Sequence, residues 1–311
     1  MSLLYFNFIR PDEEPDERAR TYQGALDMAA YADEHGFAQV VLSEHHGTDV
    51  GWLPAPLAMA GMVLARTKRV GVNISALILP LHDAKRVAED MAVLDLASGG
   101  RLSVIAAIGY RPEEYAMFGR DWDRRGALMD ESLQTLLDMW KTEPRPVSQP
   151  HPPLLVGGSS KPAVRRAARL GLPFSAGAHV PGLKEYYDEQ CAANGTNGFI
   201  LIPPARVVNV FVDEEPDRAW DELGGHFLAE ARLYAHWQTQ EVSSPVTSHA
   251  STAEELRAEG IYAVLTPQEC IDRIRGGAGT MLLHPLCGGI PVARGWDCLR
   301  LYAEQVLPAV S

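Results

Sequence analysis

One carboxylate and two adjacent imidazoles, Glu44, His45 and His46, directly follow the short apolar run Gln39–Ser43. Histidine is the side chain best suited to proton transfer near neutral pH. Groups that follow a buried parallel strand lie where α/β folds place their chemistry. Neighbouring residues of an extended chain point to opposite sides, so only one histidine can face a shared pocket. We predict that this is His45 and interpret His46 as structural.

Two other interpretations of the histidine pair stay open at this point. The pair could be loop histidines that bond only to backbone groups. A metal site is the weaker alternative, because metal-dependent barrel hydrolases place His-x-His on one strand face and the chain has no such triplet. We therefore predict no metal ligands.

A glycine- and serine-rich turn, Gly157–Ser160, separates a predicted strand from a predicted helix. Glycine lets the backbone approach a ligand closely. Serine at a helix start can cap the helix and bond an anion, and the free N–H groups with the helix dipole favour phosphate. The turn therefore predicts an anion site, with an ordinary capped turn as the alternative.

Two further segments carry polar residues at strand ends. Asn73 and Ser75 interrupt an apolar, β-branched run and must be hydrogen-bonded or face a ligand, and the pattern alone favours the first. After the next strand, the segment Gly109–Tyr115 combines an arginine, two acids and two tyrosines. We expect the acids mainly to cap a helix start, and Tyr110 or Arg111 to be better placed for a ligand.

The bulk composition limits the class of protein. The 311 residues suffice for one large α/β domain or two small ones, and the hydrophobic content of 46% supports a sizeable core. A net charge of −12 argues against nucleic acid or an anionic membrane as the main partner. The first ten residues do not resemble a signal peptide, and no apolar run is long enough for a membrane span. The scattered cysteines indicate a reduced, cytoplasmic protein.

Short apolar runs alternate with amphipathic stretches along most of the chain, which predicts a parallel sheet covered by helices. Eight such repeats favour a (β/α)8 barrel, with a doubly wound sheet as the competitor. No G-x-G-x-x-G follows the first strand, which weakens a dinucleotide-binding version. The predicted strands are Leu3–Ile9, Ala38–Ser43, Val70–Leu79, Leu102–Ile108, Pro153–Val156, Pro173–Ala176, Ala205–Val212 and Thr280–His284.

No linker divides the chain, so we expect a single domain over residues 1–311. The segment Gln238–Ile261 is rich in Ser, Thr, Glu and His and is too long for an ordinary connection. We interpret it as an insertion before the last strand that acts as a lid over the site.

Several short motifs, in this order along the chain, resemble the bacterial luciferase-like flavin monooxygenase superfamily. The resemblance covers most of the chain and is strongest between Gly36 and Gly119. The motifs that carry it are Glu44-His45-His46, Ile78-Leu79-Pro80, Gly99-Gly100-Arg101, Phe118-Gly119, Gly157-Gly158-Ser159-Ser160, Gly171-Leu172-Pro173 and Thr266-Pro267-Gln268-Glu269.

The resemblance implies a (β/α)8 barrel that binds a reduced flavin, either FMN or the deazaflavin F420, at the C-terminal mouth. The family's catalytic histidine, which assists proton handling at the flavin, falls on His45. A non-prolyl cis peptide against the flavin ring falls at Ser75-Ala76. The family's phosphate site falls on Gly158, Ser159 and Ser160, in agreement with the anion site expected from the turn.

The sequence departs from luciferase itself on the fourth strand. A reactive cysteine and a phosphate-binding arginine are replaced by Ala107 and Ile108, so we do not expect light emission. Other groups must then hold the phosphate, and Arg111 is a candidate. The cofactor-binding residues that we predict are Ser75, Ala76, Ala107, Tyr110, Arg111, Gly158, Ser159 and Ser160.

These inferences lead to one main hypothesis. We expect a flavin-dependent monooxygenase that uses reduced FMN, supplied by a separate flavin reductase, and O2 on a small organic substrate. An F420-dependent oxidoreductase on the same fold and a non-catalytic flavin-binding protein are the alternatives. A homodimer is compatible with the fold, although no sequence feature identifies an interface.

Overall fold

The computed structural model describes residues 1–10, 15–142, 144–204, 208–237 and 248–310. Its strands are β1 Ser2–Phe6, β2 Gln39–Leu42, β3 Gly71–Ile78, β4 Leu102–Ala107, β5 Leu154–Gly158, β6 Phe174–Ala176, β7 Ile200–Leu201, β8 Asn209–Val212, β9 Tyr262–Leu265 and β10 Met281–Leu283. Its helices are α1 Pro15–Glu34, α2 Pro56–Arg66, α3 Ala84–Ser98, α4 Pro112–Met117, α5 Arg125–Met139, α6 Lys161–Leu170, α7 Leu183–Asn194, α8 Pro216–Trp237, α9 Ala253–Glu259, α10 Pro267–Arg275, α11 Val292–Leu301 and α12 Leu307–Val310. A π-helical segment joins the last two helices.

The strands form one sheet in the order β7-β6-β5-β4-β3-β2-β1-β10-β8-β9, and each described ladder is parallel. The first strand, β1, pairs with β2 on one side and with the last strand, β10, on the other. From β1 to β6 the order follows the chain without a reversal. A doubly wound sheet needs such a reversal, whereas a (β/α)8 barrel does not. The architecture is therefore α/β, with the strand order of a (β/α)8 barrel.

Each of the eight predicted strands has a counterpart in the sheet, namely β1 to β6, β8 and β10. The prediction missed β7 and β9, which are short and extend the sheet beyond β6 and β8. With two residues in β7 and four in β9, the runs are too short to distinguish a strand from a turn of buried helix, so the pattern alone could not identify them.

Only part of the segment expected to form a lid lies within the described residues. Residues 238–247 lie outside the described ranges. The remainder contains α9, which Thr252 caps by accepting from the Glu255 amide at 3.2 Å. The segment lies before the last strand as expected, although β9 and α10 come between the two. A role as a lid stays a prediction.

The apolar strand residues and the inward faces of the helices build the core around and inside the sheet. Leu4, Phe6, Leu42, Phe174 and Phe211 are among its fully buried side chains. Near-continuous apolar strands are typical of parallel sheets that are buried on both faces. Among the described residues, no helix combines the length and the apolar character that a membrane crossing needs.

Hydrogen bonds from the Arg101 side chain to backbone carbonyls hold the end of the sheet opposite the histidines. Arg101 precedes β4 and donates to Leu64 O at 2.8 Å, Val70 O at 3.0 Å and Ser98 O at 3.0 Å. It thus ties the C-terminal ends of α2 and α3 to the start of β3. In barrels, this face serves stability, and the opposite face carries the chemistry.

Candidate active site

His45 lies just beyond the C-terminal end of β2 and is held at both ring nitrogens. Its Nδ1 is 2.8 Å from Glu114 Oε1, and its Nε2 is 2.9 Å from the Tyr110 hydroxyl. Only 6% of the residue is exposed. An ionised carboxylate can only accept, so it selects the tautomer with hydrogen on Nδ1 and leaves Nε2 to accept from Tyr110. The pair thereby sets both the orientation and the tautomer of the ring.

Glu114 is the residue that organises this end of the sheet. Beside His45, its Oε1 accepts from the His46 backbone N–H at 3.0 Å and from the Arg111 guanidinium at 3.1 Å. Arg111 also donates to the His46 carbonyl at 2.7 Å. Both acids lie in the first turn of α4, which has no side-chain capping hydrogen bond. Glu113 is exposed, whereas Glu114 is buried and bonded to His45 and His46 rather than to its own helix.

His46 points away from His45 into a second buried network. Its Nε2 lies 2.9 Å from Glu44 Oε1, and His82 Nε2 lies 2.6 Å from the same oxygen. Burial alone would raise the pKa of Glu44, but the hydrogen bonds from the two histidines outweigh it and bring that pKa to about 2. The contacts are hydrogen-bond lengths, shorter than the separation of about 3.3 Å between two nitrogen or oxygen ligands of a tetrahedral metal. This geometry is that of a structural anchor for the strand end.

Aromatic rings enclose His45. The Trp52 ring packs edge-on at 4.7 Å between centroids, and the Trp237 ring lies at 4.9 Å. Trp237 also covers the Arg111 guanidinium at 4.2 Å. The indole of Trp52 donates to Ser43 Oγ at 3.1 Å, which fixes its position. These rings surround the imidazole with low-dielectric material, in which its polar contacts are stronger than in water.

Tyr110 supplies a neutral hydroxyl at this site. Burial, with a smaller contribution from the Glu114 charge, raises the pKa of Tyr110 well above its ordinary value. The phenol therefore stays protonated across the physiological pH range. It can donate to His45 or to a bound molecule.

The neighbouring strand β3 carries polar groups along its length. The Ser75–Ala76 peptide bond is cis, as the resemblance implies, and the β3–β4 ladder shifts register there. Ser75 is exposed, and Ala107 at the end of β4 is half-buried. The Asn73 Oδ1 atom is buried and has no hydrogen-bond partner in the part of the chain that the structure describes. A bound molecule with an N–H or O–H group could satisfy this oxygen.

The predicted anion turn lies at the end of β5. Gly158 has a φ of +145°, and a Cβ on Gly157 would lie 2.8 Å from Ile105, so both positions need glycine. Ser160 caps α6 by accepting from the Ala163 N–H at 3.4 Å. Ser159 is half-buried and is not the cap. The turn thus has the backbone form and the hydroxyl groups that a phosphate needs.

The structure brings some of the predicted residues together and leaves others apart. His45, Tyr110 and Arg111 form one hydrogen-bonded network with Glu114. Ser75 and Ala76 lie within β3, whereas Ala107 and the 158–160 turn lie at the ends of β4 and β5. The described bonds of Arg111 go to Glu114 and His46, so its role toward phosphate stays a prediction. The sequence analysis missed the roles of Glu114, Glu44 and His82. Only the three-residue spacing of Arg111 and Glu114 hinted at a pair.

These residues fit a flavin. The orphaned Asn73 oxygen and the exposed Ser75 lie within β3, and the glycine turn of β5 offers N–H groups to an anion two strands away. A flavin cofactor combines a planar ring with a phosphate tail, so it needs both kinds of group. Fold and site together define the broad class of protein: it is an α/β barrel with a buried histidine at its C-terminal mouth.

Comparison with known proteins places the chain within this class. Residues 1–283 match the model of the family described as luciferase-like monooxygenase, and the chain belongs to that family. The beta chain of alkanal monooxygenase from Vibrio harveyi is 28% identical over 255 residues, 75% of each chain. Alignments with several other curated relatives span about half of their length.

Solved structures share the whole fold. Monooxygenase RslO1 from Streptomyces bottropensis superposes with a TM-score of 0.75 over 100% of both chains, at 24% identity. The oxygenating constituent of 3,6-diketocamphane monooxygenase from Pseudomonas putida, solved with FMN, has a TM-score of 0.68 at 17% identity and covers 100% of this chain and 98% of that one. These likenesses establish the fold of the chain.

Proposed function

We propose that this protein is a monooxygenase that uses reduced FMN and O2 to oxygenate a small organic substrate. The observation that carries the proposal is the buried His45, held between Glu114 and Tyr110 at the C-terminal mouth of the barrel. The membership of the chain in the luciferase-like monooxygenase family supports the proposed class of reaction, a monooxygenation. One oxygen atom would enter the substrate and the other would leave as water, while reduced FMN becomes FMN.

Reduced FMN, when bound, would supply the two electrons that activate O2. Around it, Gly158, Ser159 and Ser160 would hold the phosphate. Ser75, Ala76 and Ala107 would lie against the ring, and the Asn73 oxygen could accept from a ring N–H. The enclosure by Trp52 and Trp237 would exclude water, which protects reactive species and strengthens polar contacts.

The role proposed for His45 is to move one proton at Nε2. Glu114 accepts from Nδ1–H and stabilises the imidazolium that forms when Nε2 takes a proton. Tyr110 stays neutral and donates to Nε2 in the resting state. When His45 takes up or releases its proton, Tyr110 would instead donate to the reacting oxygen. Arg111 and the His46 amide keep Glu114 in place.

A separate flavin reductase would supply the reduced FMN. No G-x-G-x-x-G fingerprint follows the first strand, so no dinucleotide-binding unit is indicated in the chain itself. The proposed partners are therefore a reductase and a small-molecule substrate. We also propose a single barrel domain.

Binding and turnover together test this proposal. Titration with FMN, reduced FMN and F420 should give the tightest binding for reduced FMN. With reduced FMN supplied, formation of the oxygenated product should fall at least a hundredfold in His45→Ala. His35, which follows α1 at the opposite end of the sheet, gives the matched control, and His35→Ala should retain full activity.

Three outcomes would contradict the proposal. Preference for F420 would indicate hydride transfer on the same fold. Tight flavin binding without oxygen or hydride chemistry would indicate a flavin-binding protein. Wild-type turnover by His45→Ala would remove the role of His45.

A further inference from the structure

A second histidine–carboxylate pair lies at the same edge of the sheet as His45. His284 directly follows β10, and its backbone N–H still bonds to Val210 O at 3.1 Å. Its Nδ1 faces Glu230 Oε1 at 3.5 Å. His284 is 1% exposed and Glu230 is fully buried. The arrangement repeats that of His45 and Glu114, in which a carboxylate from a helix faces Nδ1 of a strand-end histidine.

Glu230 is firmly anchored without His284. Its carboxylate accepts from Asn7 Nδ2 at 2.7 Å, from the Tyr262 hydroxyl at 3.1 Å and from the Gly288 N–H at 3.3 Å. Burial alone would raise the pKa of Glu230, but the facing His284 and, after it, the bond from Asn7 lower that pKa. The other titratable groups beside it, Cys287 and Tyr5, have raised pKa values and stay neutral. Glu230 is thus a fixed anion that orients the His284 ring.

His284 itself is left without a partner of its own. Neither ring nitrogen has a hydrogen-bond partner among the described residues, although both are buried. A buried polar atom without a partner destabilises the folded protein, so such atoms are rare in native proteins and call for an explanation. At Nδ1 that reason is the nearby Glu230. At Nε2, no described residue offers a hydrogen-bond partner.

Tyr5 connects His284 to the strand end that carries His45. The Tyr5 ring packs on His284 at 4.5 Å between centroids. The Tyr5 hydroxyl is 2.9 Å from Ser43 Oγ, two residues before His45, and 3.0 Å from the Tyr234 hydroxyl. His284 and His45 are therefore separated by one shared layer of side chains at the mouth of the barrel.

We propose that His284 Nε2 hydrogen-bonds a carbonyl or hydroxyl oxygen of the molecule bound in the barrel mouth, with Glu230 as the positioning residue. A carbonyl suits Nε2 as a donor and a hydroxyl suits it as an acceptor, so an oxygen serves either protonation state. The oxygen could belong to the flavin or to the substrate. The inference rests on the proposed function, since it assumes that both bind there.

Two isosteric variants separate this role from a structural one. In His284→Gln, the side-chain amide reaches the position of Nε2, whereas in His284→Asn it reaches only that of Nδ1. If Nε2 binds a ligand oxygen, the Asn variant should lose about tenfold in affinity and the Gln variant should stay within about threefold of wild type. If His284 only neutralises Glu230, the Asn variant should bind normally.

The source of the oxygen decides which titration changes. Dissociation constants are measured for FMN and reduced FMN, and then for cyclohexanone and decanal with the FMN-loaded protein. Weaker flavin binding by His284→Asn assigns the oxygen to the flavin. Unchanged flavin binding with weaker binding of a carbonyl probe assigns it to the substrate. Equal affinities of both variants and wild type for every probe would overturn the inference.

A measurement on the wild-type protein covers the case in which the variants do not fold. Crystal structures with FMN and with FMN plus cyclohexanone should show a ligand oxygen within about 3.2 Å of His284 Nε2. A bound ligand with no oxygen near this atom would refute the inference and leave the proposed function intact. Failure of wild-type protein to bind any flavin would instead refute the proposed function.

Discussion

The Nδ1 atom of His45 lies 2.8 Å from Oε1 of Glu114, a residue 69 positions further along the chain. The same oxygen accepts from the His46 amide, so one carboxylate aligns both the ring and the backbone of the strand end. This relation makes Glu114 part of the site, although its own position is inside a short helix.

Replacement of Glu114 by Gln should lower kcat by about a hundredfold and change KM little, because the amide can donate to Nδ1 and stabilise the wrong imidazole tautomer. Steady-state kinetics with reduced FMN supplied would measure this split. The adjacent, exposed Glu113 provides the control, and Glu113→Gln should behave as wild type. A proportional loss in both variants would exclude a specific role for Glu114.

Replacement of Ser159 by Ala should weaken FMN binding about tenfold, because a hydrogen bond to a charged phosphate is lost. Riboflavin has the same ring without the phosphate, so its affinity should not change. Fluorescence titration of both flavins with both proteins gives the comparison. An equal loss for riboflavin would mean that the turn affects the ring site rather than a phosphate.

Glu44 should make stability depend on pH in the acid range. Its pKa in the folded protein is about 2, below the ordinary value of 4.5, so its contribution is fully present above pH 4.5 and is lost as the pH falls toward 2. At about 1.36 kcal/mol per pKa unit, the free energy of unfolding should lose about 3 kcal/mol. Urea unfolding of wild type and Glu44→Gln should show that their difference in free energy of unfolding narrows between pH 6 and pH 3. A constant difference would contradict the lowered pKa of Glu44.

Arg101 should matter for stability and not for catalysis. Its guanidinium satisfies several backbone carbonyls at the face of the sheet opposite His45, and Arg101→Met would leave them unpaired. We expect the free energy of unfolding to fall by about 3 kcal/mol, while kcat at low temperature stays unchanged. Arg86, whose side chain is 72% exposed, is the matched control, and a change in kcat of folded Arg101→Met would oppose this division.

The local pattern was enough to predict most of the framework. Apolar strands alternate with amphipathic helices, and hydrophobic period and turn residues are local properties of a chain. The positions of β3 and β5, the glycine turn at 157–160 and the location of His45 at a strand end therefore followed from the sequence. The short strands β7 and β9 did not, because so few residues carry no distinct period.

The partners of the functional residues depend on tertiary structure. In the sequence, Glu114 is an acid in the first turn of a helix, a position that favours capping. Only the tertiary fold brings it within hydrogen-bond distance of His45. In the sequence, His284 is only the residue after an apolar run. The carboxylate that faces it belongs to Glu230, which lies 54 positions earlier, on α8. The sequence by itself determined the strands and the residue types at their ends. The fold decided which of these side chains face one another, because contacts between distant segments depend on how strands and helices pack in space.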